Sequence, residues 1–472
     1  MTLGLDALEI RVREDLAKLD LPKKEWSIPK SVGGKKVFDA VIVGAGQSGL
    51  ALAAALILNG LKNIVVFDRA PEGFEGPWAT FARMPTLRTA KNATGPALGI
   101  PSLTYRAWYE AQNPPEAWED MTRAPRSSWM DYLRWFRRVM DLPIRNDSDV
   151  EDIDLLSPDI VRLQVRSPKG LETVYARHVA LATGFDGFGG PQIPAFIEGA
   201  DRDRWAHTSD PIDFSRIEGK QVGIVGIGAS AIDNGIAALK AGAESVTFFV
   251  RRESVPIIQK FHAIRGVGRD HGWSKLPDDW KWRLLAYEVK TQNPAPRHTF
   301  MELMAHRNFR VLTGCAVESV TDKGAGLAVD TRRGRYEVDF LILGTGFSND
   351  IHRRPELKSL ASDILLWRDV HPDAEHADLA AAPYLGEGFS LQEKTAGCRP
   401  GIDRIKCLAY SGTLTWGKLP AAVPYLTETA MKTLEGIAAH LFADDMEQHY
   451  AALVGYLTPE LTEEEVRALT SG

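Results

Sequence analysis

The chain has 472 residues, 44% hydrophobic and 25% charged, with a formal net charge of −6 and a pI near 6.0. That length exceeds one typical core and fits two or three domains, and the mild acidity argues against nucleic acid as the main partner. The three cysteines, Cys315, Cys398 and Cys407, form no C-x-x-C pair; this removes a redox dithiol and the usual zinc spacing and fits a reducing, cytoplasmic setting.

In chain order, residues 1–37 read as an added arm. Leu5, Leu8, Val12, Leu16 and Leu19 recur at helical spacing, which predicts a helix docked on the body. The start of the chain lacks the charged–apolar–small pattern of a signal peptide. The apolar stretch Ala40–Leu58 contains a Gly-rich turn, so a strand–turn–helix unit explains it better than a membrane span. Residues 38–212 are expected to form the first part of one domain. Within them, residues 76–178 hold five of the twelve tryptophans, Trp78, Trp108, Trp118, Trp129 and Trp135, most of them expected in the core. Ser128 with Asp131 is expected to cap a helix burying Trp129, Leu133, Phe136 and Met140. Val179–Ala182 reads as a buried strand, followed by a Gly/Pro/Asp-rich connector. A second domain is expected over 213–330, inserted into the first, which resumes over 331–442 with the strand Phe340–Leu343 and a helix from about Ala421 to Leu441. A short acidic tail, 443–472, ends the chain.

Two stretches 182 residues apart carry the same punctuation. Gly44-Ala45-Gly46-Gln47-Ser48-Gly49 follows the apolar run Ala40–Val43, and Gly226-Ile227-Gly228-Ala229-Ser230-Ala231 follows Val222–Val225. Each opens an Ala-rich helix that stops at a glycine, Gly60 or Gly242, and each is followed by a second β-branched run. Glycines at these positions permit a tight turn and close approach of the backbone to a pyrophosphate seated at a helix N-terminus. The first run ends in Asp68, nineteen residues after the last glycine, where an acid accepts from a ribose 2′-hydroxyl. The second has Val250 there, followed by Arg251 and Arg252, which suit a 2′-phosphate or form a solvated charge pair. The pattern predicts an α/β protein with two Rossmann-like dinucleotide-binding domains, one site for a cofactor with a free ribose and one for NADP(H).

This order of motifs resembles the class B flavoprotein monooxygenases, over roughly residues 38–440. Gly76-Pro77-Trp78 resembles the G-G-x-W region at the flavin, and Leu87-Arg88-Thr89 the L-R-T run of flavin-containing monooxygenases. Ala182-Thr183-Gly184 and Gly344-Thr345-Gly346-Phe347 are similar to the family's two A-T-G segments. The wording around Glu75–Trp78, Ala82–Met84, Leu87–Thr89 and Gly95–Leu98 looks closest to bacterial FAD-dependent urate hydroxylases. There are departures. The fingerprint F-x-G-x-x-x-H is loosened to Phe196-x-x-Gly199 followed by His207. The aspartate expected of ketone-oxygenating members is missing after Phe81–Pro85, and Ala90 replaces an asparagine, with Asn92 the nearest substitute.

The resemblance implies FAD and NADPH as cofactors and molecular oxygen as co-substrate. It implies a C4a-(hydro)peroxyflavin that oxygenates a nitrogen, another heteroatom or an activated ring of a small polar molecule, such as an amine, an amino acid or a urate-like heterocycle. Gly44, Gly46, Ser48 and Gly49 would meet the FAD pyrophosphate, with Asp68 and Arg69 near its ribose and Gly184 and Gly346 at strand ends beside the cofactors. Gly226, Gly228 and Ser230 would hold NADP, with Arg251 and Arg252 on its 2′-phosphate. Trp78, Arg88, Lys91 and Asn92 are the candidates for the flavin–substrate region, Arg88 and Lys91 being equally readable as solvated cations. His207 either shapes NADP binding or makes a satisfied structural hydrogen bond. A helix N-terminus near Leu419–Ala422 is expected to face the flavin. The alternative is an NAD(P)H-dependent reductase that inserts no oxygen. No metal and no membrane are called for, and a homo-oligomer is left open.

Overall fold

A computed structural model describes residues 4–186, 188–371 and 375–471. Two main sheets organise the chain. The first has eight strands. Its centre is parallel: β2 (Lys35–Val43) lies between β3 (Ile64–Phe67) and β7 (Gly170–Leu181). β4 (Ile144–Arg145) extends it beyond β3, and β16 (Ile405–Cys407) joins β7. The antiparallel strands β5 (Asp149–Ser157) and β6 (Ile160–Ser167) complete one side. The expected strand at 179–182 is thus the end of a twelve-residue strand.

The N-terminal arm is more than a helix. Helix α1 (Gly4–Lys18) buries Leu8 and Val12, whereas Leu19 is exposed. Strand β1 (Lys30–Val32) then turns through Gly33-Gly34, both at positive φ, and pairs with β2. Helix α2 (Gln47–Leu58) is buried on almost every side, as its uninterrupted Ala/Leu composition requires. It packs against helix α7, Leu426–Asp444. That helix begins five residues later than expected, because residues 423–425 form a 3-10 turn containing Pro424. No α-helix therefore begins at Leu419–Ala422.

Helix α3 (Arg126–Val139) starts at Pro125 with no side-chain cap. Ser128 lies inside it and bonds the Tyr105 hydroxyl at 2.9 Å, so the expected Ser128 cap is not formed. The aromatic core was anticipated. Trp78, Trp108, Trp118, Trp129 and Trp135 are all buried, and Tyr105 and Tyr132 lie 5.3 Å from Trp129 between ring centroids. Each such ring contributes about 1.5–3 kcal/mol by leaving water.

The second sheet has the order β11–β10–β9–β15–β8 and is parallel throughout. Its strands are β8 (Trp205–His207), β9 (Gln221–Val225), β10 (Ser245–Phe249), β11 (Phe309–Leu312) and β15 (Phe340–Leu343). Helix α4 (Ala229–Lys240) connects β9 to β10, helices α5 (Asp278–Thr291) and α6 (Arg297–Met304) precede β11, and a three-stranded antiparallel sheet, β12–β14, spans 317–338. The expected boundaries at 212/213 and 330/331 therefore leave out two strands of this sheet. Phe340–Leu343 looks like the 179–181 strand because both are buried parallel strands running into Gly-rich loops, yet it pairs with Val222–Val225.

Candidate nucleotide and substrate sites

The first Gly-rich turn joins β2 to α2. Gly44 has φ +104°, and a Cβ there would lie 2.6 Å from the Ala182 carbonyl oxygen. A Cβ on Gly49 would lie 1.9 Å from the Gly44 carbonyl oxygen. These two glycines let the strand, turn and helix nest. Gly46 serves differently: a Cβ on it would point toward the Gly76 Cα, 3.9 Å away, with no other atom within 4 Å. The Gly46 and Gly76 loops thus flank a slot that side chains would fill. Asp68, at the end of β3, is buried and takes the backbone N–H groups of Ala45 at 2.7 Å and Ala70 at 2.8 Å. Each carboxylate oxygen keeps a further lone pair for a ribose hydroxyl. Ser48 is buried and Arg69 exposed. Gln47 links the turn to its surroundings, donating to the Ala421 carbonyl at 2.6 Å and accepting from the Trp129 indole at 3.2 Å. Gln47 falls on an unspecified position of the G-x-G-x-x-G pattern, so the motif's spacing does not single it out.

The second turn is built alike on β9 and α4. Gly226 has φ +102°, and its Cβ would lie 2.7 Å from the Gly344 carbonyl oxygen. Ala231 touches Gly344 closely enough that a side chain there would lie 2.6 Å from the alanine methyl. Gly228 and Ser230 are exposed at the mouth. Cβ atoms on Gly228, Gly184 and Gly346 would meet nothing within 4 Å. Val250 is buried, and the two arginines beyond it diverge. Arg251 is exposed and makes no ion pair or side-chain hydrogen bond among the described residues. Arg252 donates to the carbonyls of Lys290 at 2.7 Å and Val289 at 3.1 Å, bracing the last turn of α5.

The candidates for the flavin–substrate region separate as well. Trp78 is buried beyond Gly76, its indole N–H has no partner, and its carbonyl accepts from Arg126. Arg88 forms an ion pair with Asp233 on α4. Burial pushes the Asp233 carboxyl up, and Arg88 opposes that shift. Lys91 turns away, donating to the carbonyls of Trp118 at 2.6 Å and Glu119 at 3.2 Å with its ammonium over the Trp118 ring. Asn92 is exposed. Arg83 is a further basic residue here that no motif spacing singles out. It donates to the Thr80 carbonyl at 2.7 Å, and burial and then the nearby Arg126 lower its pKa. Neither Arg83 nor Arg126 has a carboxylate partner among the described residues.

His207, at the end of β8, is fully buried. Burial lowers its pKa. In the neutral form Nε2–H donates to the Gly346 carbonyl at 2.9 Å, and Nδ1 accepts from Ser209. The histidine thereby fixes the loop after β15. Trp273 and Trp282 are packing residues: Trp273 donates to the Leu414 carbonyl at 3.1 Å, and Trp282 stacks on His371 at 4.7 Å.

Two Gly-rich strand–turn–helix units, each built on parallel strands of its own sheet, the first closed by an acid and the second by arginines, define a two-nucleotide flavoprotein oxidoreductase. A family model described as pyridine nucleotide-disulphide oxidoreductase matches residues 41–262. The FAD-dependent urate hydroxylase of Xanthomonas campestris pv. campestris is 37% identical over 459 residues, covering 96% of each chain. Among solved structures, the ornithine hydroxylase of Pseudomonas aeruginosa matches with a TM-score of 0.68 at 17% identity, over 86% of this chain and all of that one. The L-lysine 6-monooxygenase of Pseudomonas syringae matches at 0.66 and 18%, over 85% and 99%. At these identities the two structures share the fold. The chain belongs to the FAD-dependent urate hydroxylase family and is a flavin-dependent monooxygenase. No helix of the described residues is long and apolar enough to cross a membrane, and none of their His, Cys, Asp and Glu residues cluster as a metal site.

Proposed function

We propose that this enzyme draws electrons from NADPH through FAD and oxygenates a flat, acceptor-rich, anionic nitrogen heterocycle, with urate the first candidate. The supporting observations are that Arg83 and Arg126 lie close enough for one to lower the pKa of the other with no carboxylate on either, that Arg126 donates to the Trp78 carbonyl, and that the buried Trp78 indole N–H has no partner. These groups are donors and positive charges. They suit the carbonyls and negative charge of urate, whereas an aliphatic ammonium brings donors and positive charge of its own. When bound, FAD supplies hydride acceptance and oxygen activation. Gly44, Gly46 and Gly49 shape the turn that presents the first backbone N–H groups of α2 to its pyrophosphate, and Asp68 takes the ribose. Gly226, Gly228 and Ser230 do the same for NADPH, with exposed Arg251 on the 2′-phosphate and Arg252 behind it as a brace. Trp78, Arg83 and Arg126 orient the substrate. Arg88 holds the segment that carries them against α4. Electron transfer without oxygen insertion finds no dithiol to serve it, since Cys315 and Cys407 are buried and Cys398 stands alone at the surface.

NADPH oxidation is expected to rise saturably with urate and to stay at its basal rate with ornithine or lysine. Faster turnover with the amines would overturn the substrate assignment. Arg251→Ala is expected to raise KM for NADPH about ten- to a hundredfold, because an arginine–phosphate pair contributes about 1.5–3 kcal/mol, while KM for NADH changes little. Equal effects on both nucleotides would remove Arg251 from the 2′-phosphate.

A further inference from the structure

The last helices of the chain are folded but bury almost nothing; the ring contact that holds them to the body is His449 stacked on Phe442 at 4.7 Å. Helix α7 is anchored at its end by Asp445, which pairs with Arg177 at 2.7 Å and Lys30 at 3.0 Å. The chain then runs through α8 (Met446–Gly455) and α9 (Glu463–Thr470), neither of which buries a residue. Every residue from 450 to 471 is exposed. Helix α9 is well started, with a reciprocal capping box between Thr462 and Glu465. Yet helices of ten and eight residues are marginal in water without tertiary packing. The apolar side chains of this arm, Leu453, Val454, Tyr456, Leu457, Val466 and Leu469, lie open, Leu457 being 86% exposed. The arm is also acidic: between 446 and 471 it carries Glu447, Glu460, Glu463, Glu464 and Glu465 against Arg467 alone.

A second open apolar surface has the opposite charge. Residues 256–275 expose Ile257, Ile258, Ile264 and Val267, Ile257 being 84% exposed. Around them stand Lys260, Arg265, Arg269 and Lys275, with Asp270 the one carboxylate. The base of this segment is rigid, because Phe261 and Trp273 are buried beneath it and the Arg269 guanidinium lies over both rings.

We propose that the C-terminal arm, 446–471, of one copy of this chain docks on the 256–275 surface of a second copy, and that the exchange is reciprocal across a twofold axis. Apolar residues meet apolar residues, and the glutamates of α9 meet the cations of the receiving segment. Such a pairing completes two surfaces that a single copy leaves open. The receiving segment begins four residues after Arg252, so the partner's arm lies beside the pyridine-nucleotide mouth.

Sedimentation of the full chain tests this. Wild type is expected to be a dimer at micromolar concentration. Leu453→Glu with Leu457→Glu, and separately Ile257→Glu with Val267→Glu, are each expected to weaken dimerisation by about a hundredfold or more while flavin content is kept. Because those changes also affect solubility, a charge-swap series provides the second reading. Lys260→Glu with Arg265→Glu is expected to give monomers, and mixing that protein with the Glu463→Lys, Glu464→Lys variant is expected to restore a heterodimer. Cysteines placed at Leu457 in one copy and Ile257 in another should cross-link only between copies. A wild type that stays monomeric, a dimer indifferent to all these substitutions, or a cross-link formed within one chain would each overturn the proposal.

Discussion

Gly49→Ala is expected to yield protein without bound flavin. The new methyl carbon would stand 1.9 Å from the Gly44 carbonyl oxygen. Both atoms belong to backbone-defined positions, so no side-chain rotation relieves the overlap. The helix must slide away from the turn, and the pyrophosphate-binding N–H groups move with it. Overpacking of this kind costs about 3 kcal/mol or more, which lowers flavin affinity about a hundredfold or more. Gly228→Ala is the control, because a Cβ there meets nothing within 4 Å. That variant should purify yellow and lose affinity for NADPH instead. The visible absorbance of the two purified variants, relative to protein, is the readout. A Gly49→Ala protein with full flavin content would contradict the structural account of the first turn.

Arg88→Ala is expected to weaken both the fold and the coupling of NADPH use to product. Asp233 is buried on α4, and its carboxyl is already pushed up by burial. Breaking a fully buried ion pair costs about 3–5 kcal/mol. The Arg88 side chain is 35% exposed, so solvent screening reduces the expected loss to about 1–3 kcal/mol. The pair spans 145 positions of sequence and ties the segment after Gly76 to the helix that opens the second nucleotide motif. Losing it frees the two to separate and admits water between them. The peroxide released per NADPH is therefore expected to rise several-fold with flavin content unchanged. Asp233→Asn in the Arg88→Ala background should recover much of the stability, because no buried charge is then left unpaired. Urea midpoints of the flavoprotein for the four members of this cycle are decisive. Strictly additive losses would show that the contact contributes nothing.

The nucleotide turns could be read from sequence because their constraints are local. A glycine forced to positive φ, a helix start and an acid at a strand end all fall within about 25 residues, and the structure builds both turns from those same residues. The roles of the basic residues could not be read in this way. Nothing near Arg88 announces Asp233, and Lys91 is claimed by carbonyls 27 and 28 positions away. Arg251 and Arg252 are adjacent, yet the carbonyl end of α5 takes one and leaves the other. Strand 340–343 was assigned to the wrong sheet for a related reason. A buried parallel strand carries a continuous apolar run that does not name its neighbour. The late start of α7 and the uncapped start of α3 reflect prolines at their thresholds, Pro424 and Pro125, rather than the hydrophobic period.

The most direct measurement of the central claim is the stoichiometry of turnover with urate. Oxygen uptake, NADPH oxidation, urate loss and peroxide release are followed together on the yellow protein. One oxygen and one urate consumed per NADPH, with little peroxide, is the predicted result. If NADPH and oxygen are consumed while urate stays intact and every oxygen is recovered as peroxide, the assignment of urate oxygenation is contradicted.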